Sequence, residues 1–330
     1  MAWLLLTALL AGCSTPPPPR PPALSVAVVG DMPYNAAEER QFDTLIDQVN
    51  ADAQVSVVIH LGDIKSGAER CDDALLRSRL AQIRRFASPV VFTPGDNEWT
   101  DCHRDSNGRY LPTERLAFLR LSFFPDPHRS LGAQPLALTP QSATPGFETF
   151  VENALFVRAR VVFSTVHVVG SGNGLLPWTG VDAEDSDQRP RADRLAEVRA
   201  REAAALAWID RIFDEAARID AAGVLLAWQA NPEFERSPAH PLRAGFNAIL
   251  ARLAERARAF GRPVLLVQGD HHELIVDRPW ARAGSHGESV PRFQRVQGYG
   301  SPHIHWVKVQ VDPDAPEVFA VVPMKVRETP

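Results

Sequence analysis

The stretch VVFTPGDNEW, residues 90–99, runs a β-branched apolar segment directly into Gly-Asp, and three other segments do the same: VAVVGD at 26–31, VVIHLGD at 57–63 and VLLVQGD at 264–270. Short apolar, β-branched runs bounded by glycine read as buried strands. In open α/β sheets, ligands collect at the carboxyl ends of the strands, where loops vary while the strands fix their roots. A glycine just past each strand lets the backbone turn sharply, and the aspartate that follows is presented at the rim. Asp31, Asp63, Asp96 and Asp270 are therefore expected to converge if their strands are neighbours. Four carboxylates in one place cannot all be ionised without a compensating cation, and a metal ion is the obvious compensator.

Around these four corners the chain alternates strand-length apolar runs with longer helical patterns. Strands are expected at Ser25–Val29, Val55–Leu61, Val90–Thr93, Ala154–Val169 (as two), Val224–Trp228, Val264–Gln268, Ile304–Val311 and Val318–Val322. Helices are expected at Ala36–Val49, Asp72–Phe86, Thr113–Phe124, Arg191–Ala217 and Pro241–Phe260, where apolar residues such as Phe42, Leu45, Ile46 and Val49 recur three and four apart. The alternation predicts an α/β layered fold with parallel strands in the centre. The last two strands, joined by DPDAPE at 312–317, should form an antiparallel hairpin. Two long loops, Asp126–Gly146 and Ser171–Pro190, are expected to carry specificity.

The chain has 330 residues, 45% hydrophobic and 23% charged, enough to bury one large core. A net charge of −5 and the lack of a basic stripe with interleaved aromatics exclude bulk-field nucleic-acid binding. The opening MAWLLLTALLAGCS has an apolar run far shorter than the roughly 20 residues a bilayer span needs. Leu10-Ala11-Gly12-Cys13 resembles a bacterial lipobox, which implies a signal peptide at 1–12 and lipidation of Cys13. Residues 13–23, with TPPPPRPPA, then form a semi-extended spacer, and 24–330 the folded domain. The expected address is the bacterial cell envelope, with the domain on the periplasmic or extracellular side of the membrane. In that oxidising compartment the remaining cysteines, Cys71 and Cys102, each a few residues past a Gly-Asp corner, are expected to form a disulfide.

Taken in order, the motifs resemble the signature of the calcineurin-like metallophosphoesterase superfamily: D-x-H, GD, GNH with an acidic residue, a lone His after a strand, and GHxH. The resemblance runs from Asp31 to His272. It implies a four-layer α-β-β-α sandwich of two mixed sheets and a dinuclear metal site that hydrolyses a phosphate mono- or diester. Carried over by position, the first ion would take Asp31, Asp63 and His272. The second would take Asp63, Asp96, Gln229 and Asp270, with Asp63 bridging, and Asn97 would stand where the family contacts the scissile phosphate. Pro33, Gln229, Asp270 and Asn97 replace four family histidines, which leaves mainly oxygen ligands. That set favours one or two Mn²⁺, Mg²⁺ or Ca²⁺ ions over Zn²⁺. His103 is a candidate proton donor to the leaving group, and Lys65 and Arg104 are candidates for holding a phosphorylated small-molecule or ester substrate. His167, on the apolar segment FSTVHVV, reads as a core histidine. The lost histidines keep a second function open, an envelope protein of the same fold that binds metal or an anionic ligand without hydrolysis.

Overall fold

The computed structural model describes residues 23–280 and 289–326. In chain order these form β1 (Leu24–Val29), α1 (Ala36–Ala51), β2 (Val55–His60), α2 (Asp73–Ile83), β3 (Val90–Phe92), α3 (Pro112–Phe123), β4 (Thr139–Pro140), β5 (Ala154–Arg158), β6 (Val161–Thr165) and α4 (Gly170–Asn173). There follow α5 (Ala192–Arg218), β7 (Gly223–Ala227), α6 (Pro241–Ala244), α7 (Asn247–Phe260), β8 (Val264–Gln268), β9 (Ile275–Asp277), β10 (Phe293–Gln297), β11 (Trp306–Val311) and β12 (Phe319–Met324). One sheet has the order β12-β11-β1-β2-β3, the other β4-β5-β6-β7-β8-β10-β9. Both are mixed: β1, β2 and β3 run parallel, as do β6, β7, β8 and β10, while β11, β12, β5 and β9 pair antiparallel.

Alternation of side chains along each strand builds three apolar layers. Val26 and Val28 of β1 meet Leu225, Leu265 and Val267 between the sheets. Ala27 and Val29 face Phe42, Leu45 and Ile46 of α1. On the far side, Val224, Leu226 and Leu266 lie under Trp208, Ile209 and Ile212 of α5 and Leu250 and Leu253 of α7. The central strands are covered on both faces, which is why they read as unbroken apolar runs. Helices, sheet, sheet and helices thus stack as the four-layer α-β-β-α sandwich expected. Helix α1 starts where Asn35 Oδ1 accepts from the N–H of Ala37 and Glu38, both at 3.0 Å. It presents Phe42, Leu45, Ile46 and Val49 as one buried stripe.

The structure differs from the sequence expectation in a few places, each with a local cause. Ala154–Val169 divides into β5 and β6 at Ala159 and Arg160, both left-handed (φ 46° and 55°), a two-residue hairpin turn built without the usual Asn-Gly. The helix expected over Pro241–Phe260 breaks at Gly245, where a β-carbon would lie 2.2 Å from the Gly172 carbonyl. Strands β4, β9 and β10 were not anticipated. In β10 the alternation is masked by a buried Arg295 that pairs with Asp277 and Glu235, both at 2.6 Å. The β11–β12 hairpin is antiparallel, as expected, and β12 lies at a sheet edge. The signal segment 1–12, Cys13 and all but the last residue of the 13–23 spacer lie outside the described residues.

Leu225 is fully buried between the two sheets. Leu225→Ala should cost roughly 2–5 kcal/mol, the range for truncating a core leucine, read from the shift of the urea unfolding midpoint.

Candidate functional site

The Gly-Asp corners converge because the aspartate of one strand rests on the glycine of another. A β-carbon on Gly95 would lie 2.0 Å from Asp63 Oδ1, and one on Gly269 would lie 2.0 Å from Asp31 Oδ2. Gly30 packs against the Leu61 side chain, where a β-carbon would approach to 2.8 Å. Of the four glycines only Gly62 has a left-handed backbone, at φ 83°. The other three are therefore required by close approach rather than by a sharp turn, a correction to the reason expected from sequence. The left-handed corner falls on the aspartates instead: φ is 55° at Asp31, 51° at Asp63 and 80° at Asp270. Aspartate is among the few non-glycine residues that visit this region readily.

Asp63 sits at the centre and receives four donors. Its carboxylate accepts from Asn97 N at 3.1 Å, Asn97 Nδ2 at 3.0 Å, Gln229 Nε2 at 3.2 Å and the Tyr34 hydroxyl at 3.3 Å. The N–H groups of Asp63 and Gly95 both donate to Glu98 Oε1, at 3.2 and 2.7 Å, which ties the corners of β2 and β3 together. Asp31 Oδ1 accepts from Asp270 N at 2.8 Å, while its buried Oδ2 has no hydrogen-bond partner. Asp270 Oδ2 accepts from Asn231 N at 2.8 Å. Ser171 Oγ lies 2.9 Å from Asp96 Oδ2 and 2.7 Å from Asp101 Oδ1. A hydroxyl has one proton, so Ser171 can donate to only one of the two carboxyls at a time. His272 Nδ1 is 2.7 Å from the Ser301 carbonyl, to which it must donate, so Nε2 is left as an acceptor facing the Tyr34 hydroxyl at 3.3 Å.

Desolvation governs the charges. Burial pushes Asp31 and Asp63 well above the usual carboxylate range, with Asp96 and Glu98 adding to both. Asp270 is pushed up to about 8 by burial and then by Asp96. Burial also pushes Glu98 and Asp101 up to about 7. The Tyr34 phenol is raised by burial and by Asp63, so it keeps its proton. Burial and the neighbouring Arg104 guanidinium lower His103 to about 4.

The residues expected to hold two metal ions are gathered at one rim, but their orientation does not fit a dinuclear centre. Gln229 would have to offer its carbonyl oxygen to the second ion. That oxygen instead accepts from Gly170 N at 2.7 Å, which turns the amide N–H toward Asp63. Asp63, the expected bridge, is surrounded by donors where it would need open lone pairs. Among the described residues no group of three or more His, Cys, Asp and Glu is placed to hold a metal ion.

The remaining candidates separate by burial. Asn97 lies beside Asp63, as its position in the motif implied. Lys65 is fully buried, and its ammonium donates to Ser66 O and Asn107 Oδ1, both at 2.8 Å, so it braces a loop rather than facing a ligand. His103 is buried and accepts from Gly180 N at 3.2 Å; a ring held neutral in this way joins two loops and is a poor acid at neutral pH. Arg104 is partly exposed and pairs with Asp101 at 2.7 Å. His167 is a core histidine, bonded to Glu152 at 2.7 Å. Tyr34, Asp101 and Ser171 were not anticipated; Tyr34 follows the Asp31 corner and Ser171 opens a loop already singled out, while Glu98 answers the acidic residue of the GNH motif but was assigned no role.

Two braces fix the rim from behind. Cys71 and Cys102 form the expected disulfide, with Cα atoms 5.8 Å apart and both sulfurs packed 3.6 Å from the Asn97 carbonyl. Two buried arginines of α5 hold the 170–190 loop: Arg194 makes a bidentate pair with Asp185 at 2.8 and 2.9 Å, and Arg201 donates to the Asn173 carbonyl at 2.9 Å and to its side chain.

The layered architecture, with an acidic rim at the strand ends of β1, β2, β3 and β8, is that of a metallophosphatase-like α/β protein. Residues 24–191 match the calcineurin-like phosphoesterase family, and the chain belongs to it. The matched span contains Asp31, Asp63, Asp96 and Asn97, whereas Gln229, Asp270 and His272 lie beyond it. No curated protein matches the chain. Among solved structures it is similar to one titled "GAP50 the anchor in the inner membrane complex of Plasmodium", at 9% identity and a TM-score of 0.42, covering 92% of this chain and 89% of that one.

Two outcomes follow. Replacing both cysteines (Cys71→Ala with Cys102→Ala) frees a loop with a sequence separation of 31. It should cost about 3–4 kcal/mol in urea unfolding by loop-closure entropy. The second concerns pH: carboxyls whose folded values lie above unfolded ones of roughly 4 stabilise the fold while protonated. That contribution is full below the unfolded value and is lost as pH rises through about 7 for Glu98 and Asp101 and about 8 for Asp270. In chelator-treated protein the melting temperature should therefore fall between about pH 5 and about pH 8.5, and Asp270→Asn should flatten the slope.

Proposed function

We propose that the chain is a non-hydrolytic member of the calcineurin-like phosphoesterase family, holding a phosphate-bearing ligand beside the acidic rim while tethered to the bacterial envelope through a lipid on Cys13. The observation that carries the reading is Gln229, whose carbonyl is committed to Gly170 and whose amide is directed at Asp63. Two-metal hydrolysis needs ions to make hydroxide at neutral pH and to clamp the phosphoryl oxygens. A bridge carboxylate filled by four hydrogen-bond donors is poorly suited to either task. Without ions the rim offers a phosphate no cation, so an anionic group would be held just outside it. An open cleft of about 520 Å³ lies there, lined in part by Arg104, Arg109, Thr179 and Gly180. Arg104 supports its use, because Nη1 lies beside Asn97 at Gly67, at the boundary between rim and cleft. The lipobox, the proline-rich spacer and a disulfide suited to an oxidising compartment support the envelope address.

A second reading, a metal-dependent hydrolase of phosphate mono- or diesters, is favoured by Asp31 Oδ2. It is a buried carboxylate oxygen with no partner, the kind of atom a cation would satisfy. Purified protein assayed on chromogenic phosphomonoesters and diesters with Mn²⁺, Mg²⁺, Ca²⁺ or Zn²⁺ should show no turnover above an Asp63→Asn control. Metal-dependent turnover that Asp63→Asn abolishes overturns the first reading in favour of the second.

A further inference from the structure

We propose that the Tyr34 hydroxyl stands where the family's first metal ion would lie, and that removing the phenol opens a cation site in this chain. The hydroxyl is 3.3 Å from Asp63 Oδ2, 3.3 Å from His272 Nε2 and 3.1 Å from Asn97 Nδ2. Asp63 and His272 are two of the three side chains that the motif assigns to the first ion, and Asn97 marks the phosphate-contact position. The third, Asp31, keeps a buried Oδ2 without a partner, and its Oδ1 lies 3.9 Å from His272 Nε2.

A phenol satisfies this company with one atom. It accepts from the Asn97 amide and gives its single proton to Asp63, with His272 Nε2 alongside at the same distance. The separations are those of hydrogen bonds, about 1 Å longer than the roughly 2.0–2.2 Å of metal–nitrogen and metal–oxygen bonds to small divalent ions. An ion and the phenol oxygen cannot share the space. The ring is also fixed in place: it meets the His272 ring edge-on with centroids 5.3 Å apart, and the Tyr34 N–H donates to Glu38 Oε2 at 2.7 Å in the first turn of α1. A β-carbon on Gly300 would lie 2.6 Å from Asp31 Cβ and 2.8 Å from His272, so these two residues are held against the same backbone. Truncating the tyrosine would leave a gap bordered by Asp31, Asp63 and His272, two carboxylates and an imidazole acceptor; at their present spacing these do not form a metal site, and they would close inward on a divalent ion in the space the phenol vacates.

The inference rests on the non-hydrolytic reading only in treating the rim as hydrogen-bonded; Gln229 carried that reading at the second position, and Tyr34 concerns the first. The test dialyses wild type, Tyr34→Ala and Tyr34→Ser against manganese chloride, counts bound ions by elemental analysis and compares melting temperatures with and without the ion. Wild type should retain less than about 0.1 ion per chain and melt unchanged, while each variant retains about one and melts higher with manganese. Adding Asp31→Asn to either variant should abolish the gain. Folded variants that bind no more manganese than wild type overturn the inference and leave the non-hydrolytic reading standing. Wild type that itself retains an ion lost on Asp63→Asn also overturns it, whether or not the variants fold. The phosphoester assay then decides separately whether the non-hydrolytic reading falls as well.

Discussion

A carboxylate withdrawn from water must find either a cation, a proton or enough hydrogen-bond donors, and the rim of this protein is organised around that requirement. Asp63 takes donors, four of them, from three separate parts of the chain. Glu98 takes two backbone N–H groups, and Asp96 and Asp101 share one serine hydroxyl. The contacts are possible because Gly95 and Gly269 leave no side chain between neighbouring corners. Adding a single methyl at either glycine would separate the strands that the rim joins.

Most of the fold was legible because its signals are local. Apolar runs ending on glycine located β1, β2, β3 and β8, and three-and-four spacing located α1, α2, α3 and α5 to within a few residues. Cys71 and Cys102 could be paired because both follow Gly-Asp corners on adjacent strands. What stayed hidden depends on partners distant in the chain. Strand β10 contains an arginine that reads as exposed until Asp277 and Glu235 are brought to it. The direction of the Gln229 amide is set by a backbone N–H 59 residues away, and the state of His103 by burial under another loop. Residue identity gave the right address for the site; orientation and protonation, on which its chemistry turns, come from packing.

Membership in the calcineurin-like phosphoesterase family accounts for the sandwich and for the convergence of its loops. What those loops present is set by a few side chains: Tyr34, Asn97 and Gln229 donate to Asp63, and Ser171 stands between Asp96 and Asp101. The rim is not fully satisfied: Asp31 Oδ2 and Glu98 Oε2 are both buried without a hydrogen-bond partner.

Arg194 and Arg201 lie seven residues apart, two turns along α5, and clamp the 170–190 segment at Asn173 and at Asp185. The stretch between these clamps is consequently a strap rather than a free loop: Trp178 N donates to Asp185 and Gly180 N to His103, so it is tied in the middle as well as at its ends to the elements that carry the rim.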